Sequence, residues 1–357
     1  MTTNLVSQKH QILDLRSDFL TRPTPEMIKA MVSAAQERGG FGLREDQYVK
    51  KLEQEAADIT GKEDALFCAS CGMANQIAIH LRCRSGSTLV AEADSHVISS
   101  EAGGPAALSG VMCKGIPGYE GIPDFDAVSD TFESRDAQRN IIDLFIIENT
   151  HVRTGGALLD LNTLTRLRDL ANRYTIPVHL DGSRIFNAST ALNVSVAKLC
   201  SFADSVAFSL NKGLGAPLGA MLTGSASFIA EAVRVRQMFG GGWRPAGVIA
   251  AAGSVALATM PQRLGHDHEV AQQLGAELEQ LKGLRLGQSR VWTNLILVDI
   301  DERFGGAAAF ADVLSRHGVL AIPFGKHRLR IAIYYEIGKA DIPIIVDAFR
   351  KTLASYH

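Results

Sequence analysis

The sequence is poor in cysteine, with five in 357 residues and an odd count. Their scattered spacing excludes a disulfide-built scaffold and suits reduced thiols in the cytoplasm. Cys68 and Cys71 form a lone CxxC with no second pair and no histidine pair, so no metal is expected. Long apolar runs are also missing. No uncharged stretch approaches the roughly 18 residues of a membrane span. Blocks of one charge are absent and the formal net charge is −2, which argues against nucleic acid or a membrane surface as partner. Met1 to Asp14 is polar and mixed, and a signal peptide is not expected there. No strand leads into GxGxxG with an acid about 20 residues on, so a nicotinamide dehydrogenase fits poorly. There is no internal repeat and no low-complexity segment.

What is present is a large apolar fraction, 46% against 21% charged. That is enough for a sizeable core, and the length suits two domains. After an N-terminal arm, Pro25 opens a helix with Met27, Ile28, Met31 and Val32 at apolar spacing. Glu45 to Thr60 reads as an amphipathic helix stopped at Gly61. Short apolar strands then alternate with helices: Ala65–Phe67, a turn at Ser70-Cys71-Gly72, a helix over 73–81, Thr88–Ala91, a helix near Ser99–Glu101, Leu144–Ile147, a helix over Asn162–Tyr174, Val178–Asp181, Ser205–Phe208 and Leu218–Leu222. This pattern predicts an α/β fold with a mostly parallel central sheet covered on both faces. Helices over Ser227–Met238, Gly247–Met260 and Gln262–Leu281 follow. The texture then changes to strand (Val291–Asp299), helix (Gly306–His317), strand (Arg328–Tyr334) and helix (Ala340–Leu353). The expected division is a large domain over 1–255 and a small C-terminal α+β domain over 256–357.

One stretch organises the chain: Pro177-Val178-His179-Leu180-Asp181-Gly182-Ser183-Arg184. Lys212 answers it from Ser209-Leu210-Asn211-Lys212-Gly213. A single acid at a strand end is usually a turn or cap residue, and a lysine beside glycine is usually solvated. Together they differ, because Lys212 sits in a run almost without other charge and must find a partner or lose its proton. An acid that protonates a pyridine nitrogen, with a lysine that forms a Schiff base, is the protein side of pyridoxal 5′-phosphate (PLP) chemistry.

Seven ordered motifs resemble the threonine aldolases, PLP enzymes of the aspartate-aminotransferase fold (fold type I). They are Asp14-Leu15-Arg16-Ser17-Asp18, Arg22-Pro23-Thr24, Glu101-Ala102-Gly103-Gly104, Glu148-Asn149-Thr150-His151, His179 to Arg184, Lys212-Gly213-Leu214-Gly215-Ala216-Pro217, and Gly240-Gly241-Gly242-Trp243-Arg244. The resemblance implies that Lys212 carries PLP, Asp181 meets the pyridine nitrogen and His96 stacks on the ring. Ser70, Cys71 and Gly72 would bind the phosphate, with Arg244 reaching in from a neighbouring subunit. Arg184 and Arg330, assisted by Ser17, would hold the substrate carboxylate. The alternative for Arg330 is a surface arginine on a strand edge. The implied reaction is retro-aldol cleavage of a β-hydroxy-α-amino acid to glycine and an aldehyde. His151, His96 or an ordered water would take the hydroxyl proton.

The chain departs from the family pattern around the phosphate and the substrate mouth. Cys71-Gly72 stands where Gly-Thr is common, Asn211 where Ser is, and Gln237 where Lys is. Phe41 replaces a Tyr, and Tyr334 lies near a customary His. Phe41 and Tyr334 suit a bulkier aromatic Cβ substituent, as in phenylserine. The competing readings are β-elimination or transamination on the same scaffold, and a non-catalytic PLP module, which lacks any attached basic helix-turn-helix. A homo-oligomer with active sites at the subunit interface is expected.

Overall fold

The computed structural model describes residues 12–133 and 138–356. Most of the segment assessed for a signal peptide, and the first eleven residues of the expected arm, lie outside the described residues. The arm continues as β1 (Leu13–Asp14) and a single 3-10 turn, Asp18–Leu20, capped by Ser17. Helix α1 (Pro25–Ala35) starts where expected, because the Thr24 side chain accepts from the Met27 amide and proline occupies the first turn. Helix α2 (Gln47–Thr60) begins two residues later than the sequence suggests. Asp46 accepts the Tyr48 and Val49 amides as its cap, and left-handed Gly61 (φ 65°) ends it.

Strands and helices then alternate through β2 (Asp64–Cys68), α3 (Cys71–Arg82), β3 (Thr88–Glu92), α4 (His96–Ser99), α5 (Gly104–Ser109), β4 (Met112–Ile116), the hairpin β5 (Gly118–Tyr119) and β6 (Ile122–Pro123), α6 (Phe125–Glu133), β7 (Ile142–Glu148), α7 (Leu161–Arg173), β8 (Val178–Asp181), α8 (Ile185–Leu192), α9 (Val196–Cys200), β9 (Ser205–Ser209), β10 (Ala220–Gly224), α10 (Ala226–Met238) and α11 (Gly247–Thr259). The main sheet runs β2-β10-β9-β8-β7-β3-β4. Strands β9, β8, β7, β3 and β4 are parallel, and β10 runs against both its neighbours. The fold is thus the expected α/β architecture with a mostly parallel central sheet.

Helix α11 packs against α1 and α2. It is rich in alanine and glycine for a steric reason, since a Cβ on Gly253 would come within 2.9 Å of Leu52. Met27 of α1 is buried, but Ile28 and Val32 of its expected apolar stripe face outward.

The chain then forms α12 (Leu264–Glu279), β11 (Leu284–Leu286), β12 (Leu295–Ile300), α13 (Ala307–Arg316), β13 (Val319–Leu320), β14 (Ile322–Pro323), β15 (Arg328–Ala332) and α14 (Ile342–Ala354). Strands β11-β12-β15-β14 make an antiparallel sheet. Two cores divide within α12: Leu264 packs in the first, while Val270, Ala271, Leu274 and Leu278 pack in the second. Residue 255 lies earlier, in α11, whose Ala256 and Leu257 belong to the first core. Leu13 and Leu15 belong to the second core, and β1 pairs in parallel with β13, so the arm fastens onto the C-terminal part. Among the described residues, no helix is long and apolar enough to cross a membrane.

Candidate active site

The carboxyl ends of β3, β7 and β8 carry Glu92, Glu148 and Asp181, and Lys212 follows β9 by three residues. Strand order reverses between β3 and β7. From β3 the sheet grows outward to β4, and from β7 it grows the other way. Open α/β sheets bind ligands in the crevice at such a reversal.

Asp181 is buried between Glu148 on β7 and Ala207 on β9. Its Oδ2 accepts from Asn75 Nδ2 at 2.9 Å, its Oδ1 accepts from the Ser183 amide at 3.1 Å, and Cys71 Sγ lies 3.9 Å from Oδ1. Burial opposes its ionisation. The charges of His96 and Lys212, with the bonds from Asn75 and Ser183, outweigh burial and hold it below the usual carboxylate range. Burial pushes the Cys71 thiol up, so it stays protonated as a donor.

Lys212 is buried, and its Nζ makes no hydrogen bond or ion pair among the described residues; it lies 5.0 Å over the Phe19 ring. Burial, reinforced by the positive charge of Arg184, lowers its pKa. An uncharged amine is the nucleophilic form. His96 opens α4, and its backbone amide donates to Glu148 Oε2 at 2.6 Å. Its Nδ1 lies 3.0 Å from Glu101 Oε1, and that bond raises its pKa above the ordinary histidine value. One ligand-type atom each of His96, Glu101 and Asp181 falls within 4.8 Å of the others.

Arg184, expected to hold a substrate carboxylate, is paired side-on with an acid of the chain itself. Its Nε and Nη2 donate to the two oxygens of Asp18, each at 2.7 Å, and both partners are buried. Arg330 differs. It lies on β15 between β12 and β14, not on a sheet edge. Its Nη2 donates to the Arg16 carbonyl at 3.1 Å, its Nε is buried without a partner, and no carboxylate pairs with it among the described residues. Burial, with Arg184 close by, lowers its pKa to about 10. A half-buried guanidinium whose Nε is enclosed and which meets no acid suits an anionic ligand.

At the start of α3, Ser70 is the cap and its Oγ accepts from the Met73 amide at 3.1 Å. Space beside Gly72 is open, since a Cβ there would meet nothing nearer than Ser70 Oγ at 3.9 Å. An open helix N-terminus with a capping hydroxyl fits a phosphate. Ser17 is half-buried, and its Oγ accepts from the Phe19 amide.

The remaining candidates sit elsewhere. His151 is buried, with Nδ1 3.1 Å from Thr154 Oγ1 and Nε2 3.0 Å from Glu92 Oε2, off the line of a good hydrogen bond. Burial lowers its pKa, but Glu148, Glu92 and Asp94 more than reverse this. Arg244 is exposed, donating to the Phe41 carbonyl at 2.8 Å beside a Phe41 ring that is 86% exposed. Tyr334 is buried, and its hydroxyl donates to the Asp14 carbonyl at 2.7 Å, so its ring is part of the second core.

The family model of β-eliminating lyases matches residues 14–303. A low-specificity L-threonine aldolase of Arabidopsis thaliana is 37% identical over 351 residues, covering 96% of each chain. The chain belongs to the threonine aldolase family. An alanine racemase of Cochliobolus carbonum is also similar, 32% identical and covering 95% of this chain and 87% of its own. In fold, a threonine aldolase of Leishmania major superposes with a TM-score of 0.82 at 17% identity, covering 95% of this chain and 99% of that one.

PLP is the cofactor of this family member. The residues fit it: Lys212 supplies an unpartnered buried amine, Asp181 an ionised buried carboxylate, and α3 an open amino end. Sequence reasoning passed over Asp18 and Glu101 as single residues, although both stand inside its motifs. It missed Asn75 and Asn294 altogether. Asn294 Nδ2 donates to Asp18 Oδ2 at 3.1 Å and to the Ile333 carbonyl at 3.0 Å, a role without local signal.

Proposed function

We propose that this threonine aldolase family member cleaves β-hydroxy-α-amino acids of the threonine, allo-threonine or phenylserine type to glycine and an aldehyde. The observation that carries the reading is a buried, unpartnered Lys212 in the same electrostatic neighbourhood as the acid-less Arg330; Arg184 and Asp18 act on both. A primary amine for the cofactor and an unmatched cation for an α-carboxylate describe an amino-acid substrate.

PLP, when bound, supplies the electron sink for the pair left at Cα when a bond there breaks. Lys212 would tether it, Asp181 would face the pyridine nitrogen and His96 the ring. Ser70, Cys71 and Gly72 would receive the phosphate, with Arg244 of a second copy. Arg330, helped by Ser17, would fix the carboxylate and so select which Cα bond is aligned to break. Arg184, bound to Asp18 through Nε and one Nη2 proton, keeps the other Nη2 proton and its Nη1 for that task. His96, in its neutral form, would take the β-hydroxyl proton. His151 is the other candidate base, its Nε2 3.0 Å from Glu92 Oε2 without a well-aligned hydrogen bond.

An oligomer with shared sites is supported by apolar residues exposed on one protomer, among them Phe19, Ile28, Val32 and Phe41. Five free thiols suit the cytoplasm. The test is to incubate protein and PLP with L-threonine or L-threo-phenylserine and measure glycine and aldehyde together, beside Lys212→Ala. Equimolar products that vanish in the variant are expected. Keto acid with ammonia would replace this reading by β-elimination, and conversion to the diastereomer inverted at Cα without cleavage would replace it by epimerisation. The ratio of kcat/KM for the two substrates reads the preference; a larger value for phenylserine would match Phe41 at the mouth of a partner's site.

A further inference from the structure

Helix α3 packs on one face of the main sheet, against β2, β9 and β10, and places Asn75, itself buried, between two carboxylates. Asn75 Nδ2 donates to Glu101 Oε1 at 2.8 Å and to Asp181 Oδ2 at 2.9 Å. An amide nitrogen has two protons, so each carboxylate receives one. On the other side, Asn75 Oδ1 lies 3.0 Å from His179 Nε2, and His179 Nδ1 lies 2.8 Å from Ser205 Oγ. The amide oxygen can only accept, so His179 Nε2 carries the proton. His179 Nδ1 must then accept, and the Ser205 hydroxyl donates to it. His179 is fully buried, and burial keeps it neutral, lowering its pKa to about 4. Every proton from Ser205 to the two carboxylates is therefore assigned by the chain itself.

The arrangement has a purpose that the individual bonds do not reveal. Asp181 and Glu101 lie close enough for like-charge repulsion, and two carboxylates that share a site tend to bind a proton between them. Lys212, His96 and the Ser183 amide also face Asp181, and Gln76 Nε2 donates to Glu101 Oε2 at 2.6 Å. Among these groups Asn75 alone bonds both acids.

We propose that Asn75 is a positioning residue. It holds Asp181 and Glu101 apart as two separate carboxylates, one aimed at the cofactor and one at His96, while His179 Nε2 holds its amide oxygen. Were the amide reversed, its oxygen would point at both carboxylates, and both of those contacts would be repulsive.

This rests on Asp181 meeting the pyridine nitrogen, and the experiment separates the two ideas. The readouts are the PLP dissociation constant and the pH midpoint of the visible band of the bound cofactor. Asn75→Leu keeps the volume and removes both donors. Its PLP dissociation constant is expected to rise about tenfold, with the band's midpoint moved by about one pH unit. Adding Glu101→Gln removes the competing charge and is expected to bring both readouts back to within about threefold of wild type, although turnover stays low because His96 has lost its partner. Ser205→Ala, a milder change that keeps the fold if Asn75→Leu does not, is expected to shift both readouts the same way by a smaller amount. Asp181→Asn must weaken PLP binding; if it does not, the reading of Asp181 itself is wrong. If Asp181→Asn weakens binding while Asn75→Leu leaves both readouts unchanged, or if Glu101→Gln restores nothing, the role given to Asn75 is overturned.

Discussion

Asp18→Asn removes one charge from a buried pair and leaves the shape almost untouched. In the wild type, the Asp18 pKa is brought down to about 2 from 3.8, against a burial penalty that acts in the opposite direction. Arg184 and its two hydrogen bonds are the main cause, followed by Lys212 and Asn294. That gap corresponds to about 2 kcal/mol of folded-state preference for the carboxylate. The sign is fixed by the depression: the contribution is complete above the ordinary carboxylate value and fades as pH falls towards 2. The asparagine variant also leaves Arg184 buried with no opposite charge, and breaking a buried pair from one side costs about 3–5 kcal/mol. A loss of about 2–5 kcal/mol at pH 7 is therefore expected in urea unfolding of the PLP-free protein, with the difference from wild type narrowing below about pH 4. A loss under about 0.5 kcal/mol at pH 7 would refute the reasoning, since it would mean that Arg184 finds equal support elsewhere. So would a loss that is the same at pH 3 as at pH 7.

Three further outcomes follow from the site. Arg330→Lys keeps the charge but loses the planar fork, and KM for the amino acid should rise about tenfold or more while kcat falls less; equal KM values would remove Arg330 from carboxylate binding. Because Glu101 raises the His96 pKa, kcat/KM should climb with pH through a midpoint above the ordinary histidine value, and His96→Asn should flatten that limb in the pH profile. His179 and His268 are buried with pKa values near 4, so folding is unaffected above about pH 6.5 and is penalised as pH drops towards 4, by up to about 3 kcal/mol for each; thermal unfolding followed from pH 7 to 4 should show this decline.

The strand-end acid and the lonely lysine were legible because each violates its surroundings: an apolar run should not end on a buried charge unless that charge has work there. Helix starts at Thr24-Pro25 and stops at Gly61 were legible for local reasons of capping and left-handed backbone. Asn75 was not. Within α3 it looks like any polar helix residue, and only the packing of that helix on the sheet puts two carboxylates against its amide. Arg184 shows the reverse case. Its residue type suggested a grip on substrate, and nothing local announced that Asp18, 166 positions away, would take its Nε and one Nη2 proton. Strand β12 starts at Leu295, later than expected, because Asn294 turns its side chain towards Asp18. The periodicity of a segment cannot report a partner hundreds of residues distant.

The pairing of β1 with β13 also sets an order of events at the ribosome. Leu13 meets Val319 across almost the whole length of the chain, and the Arg16 carbonyl meets Arg330. At roughly 5–20 residues per second, synthesis of the intervening segment takes on the order of 15–60 seconds. Through that time Leu13 and Asp14 wait without their β13 partners, while the parallel sheet made in between is already able to form. The bond from Arg330 to the Arg16 carbonyl is thus made only after β15 has been synthesised, long after β1.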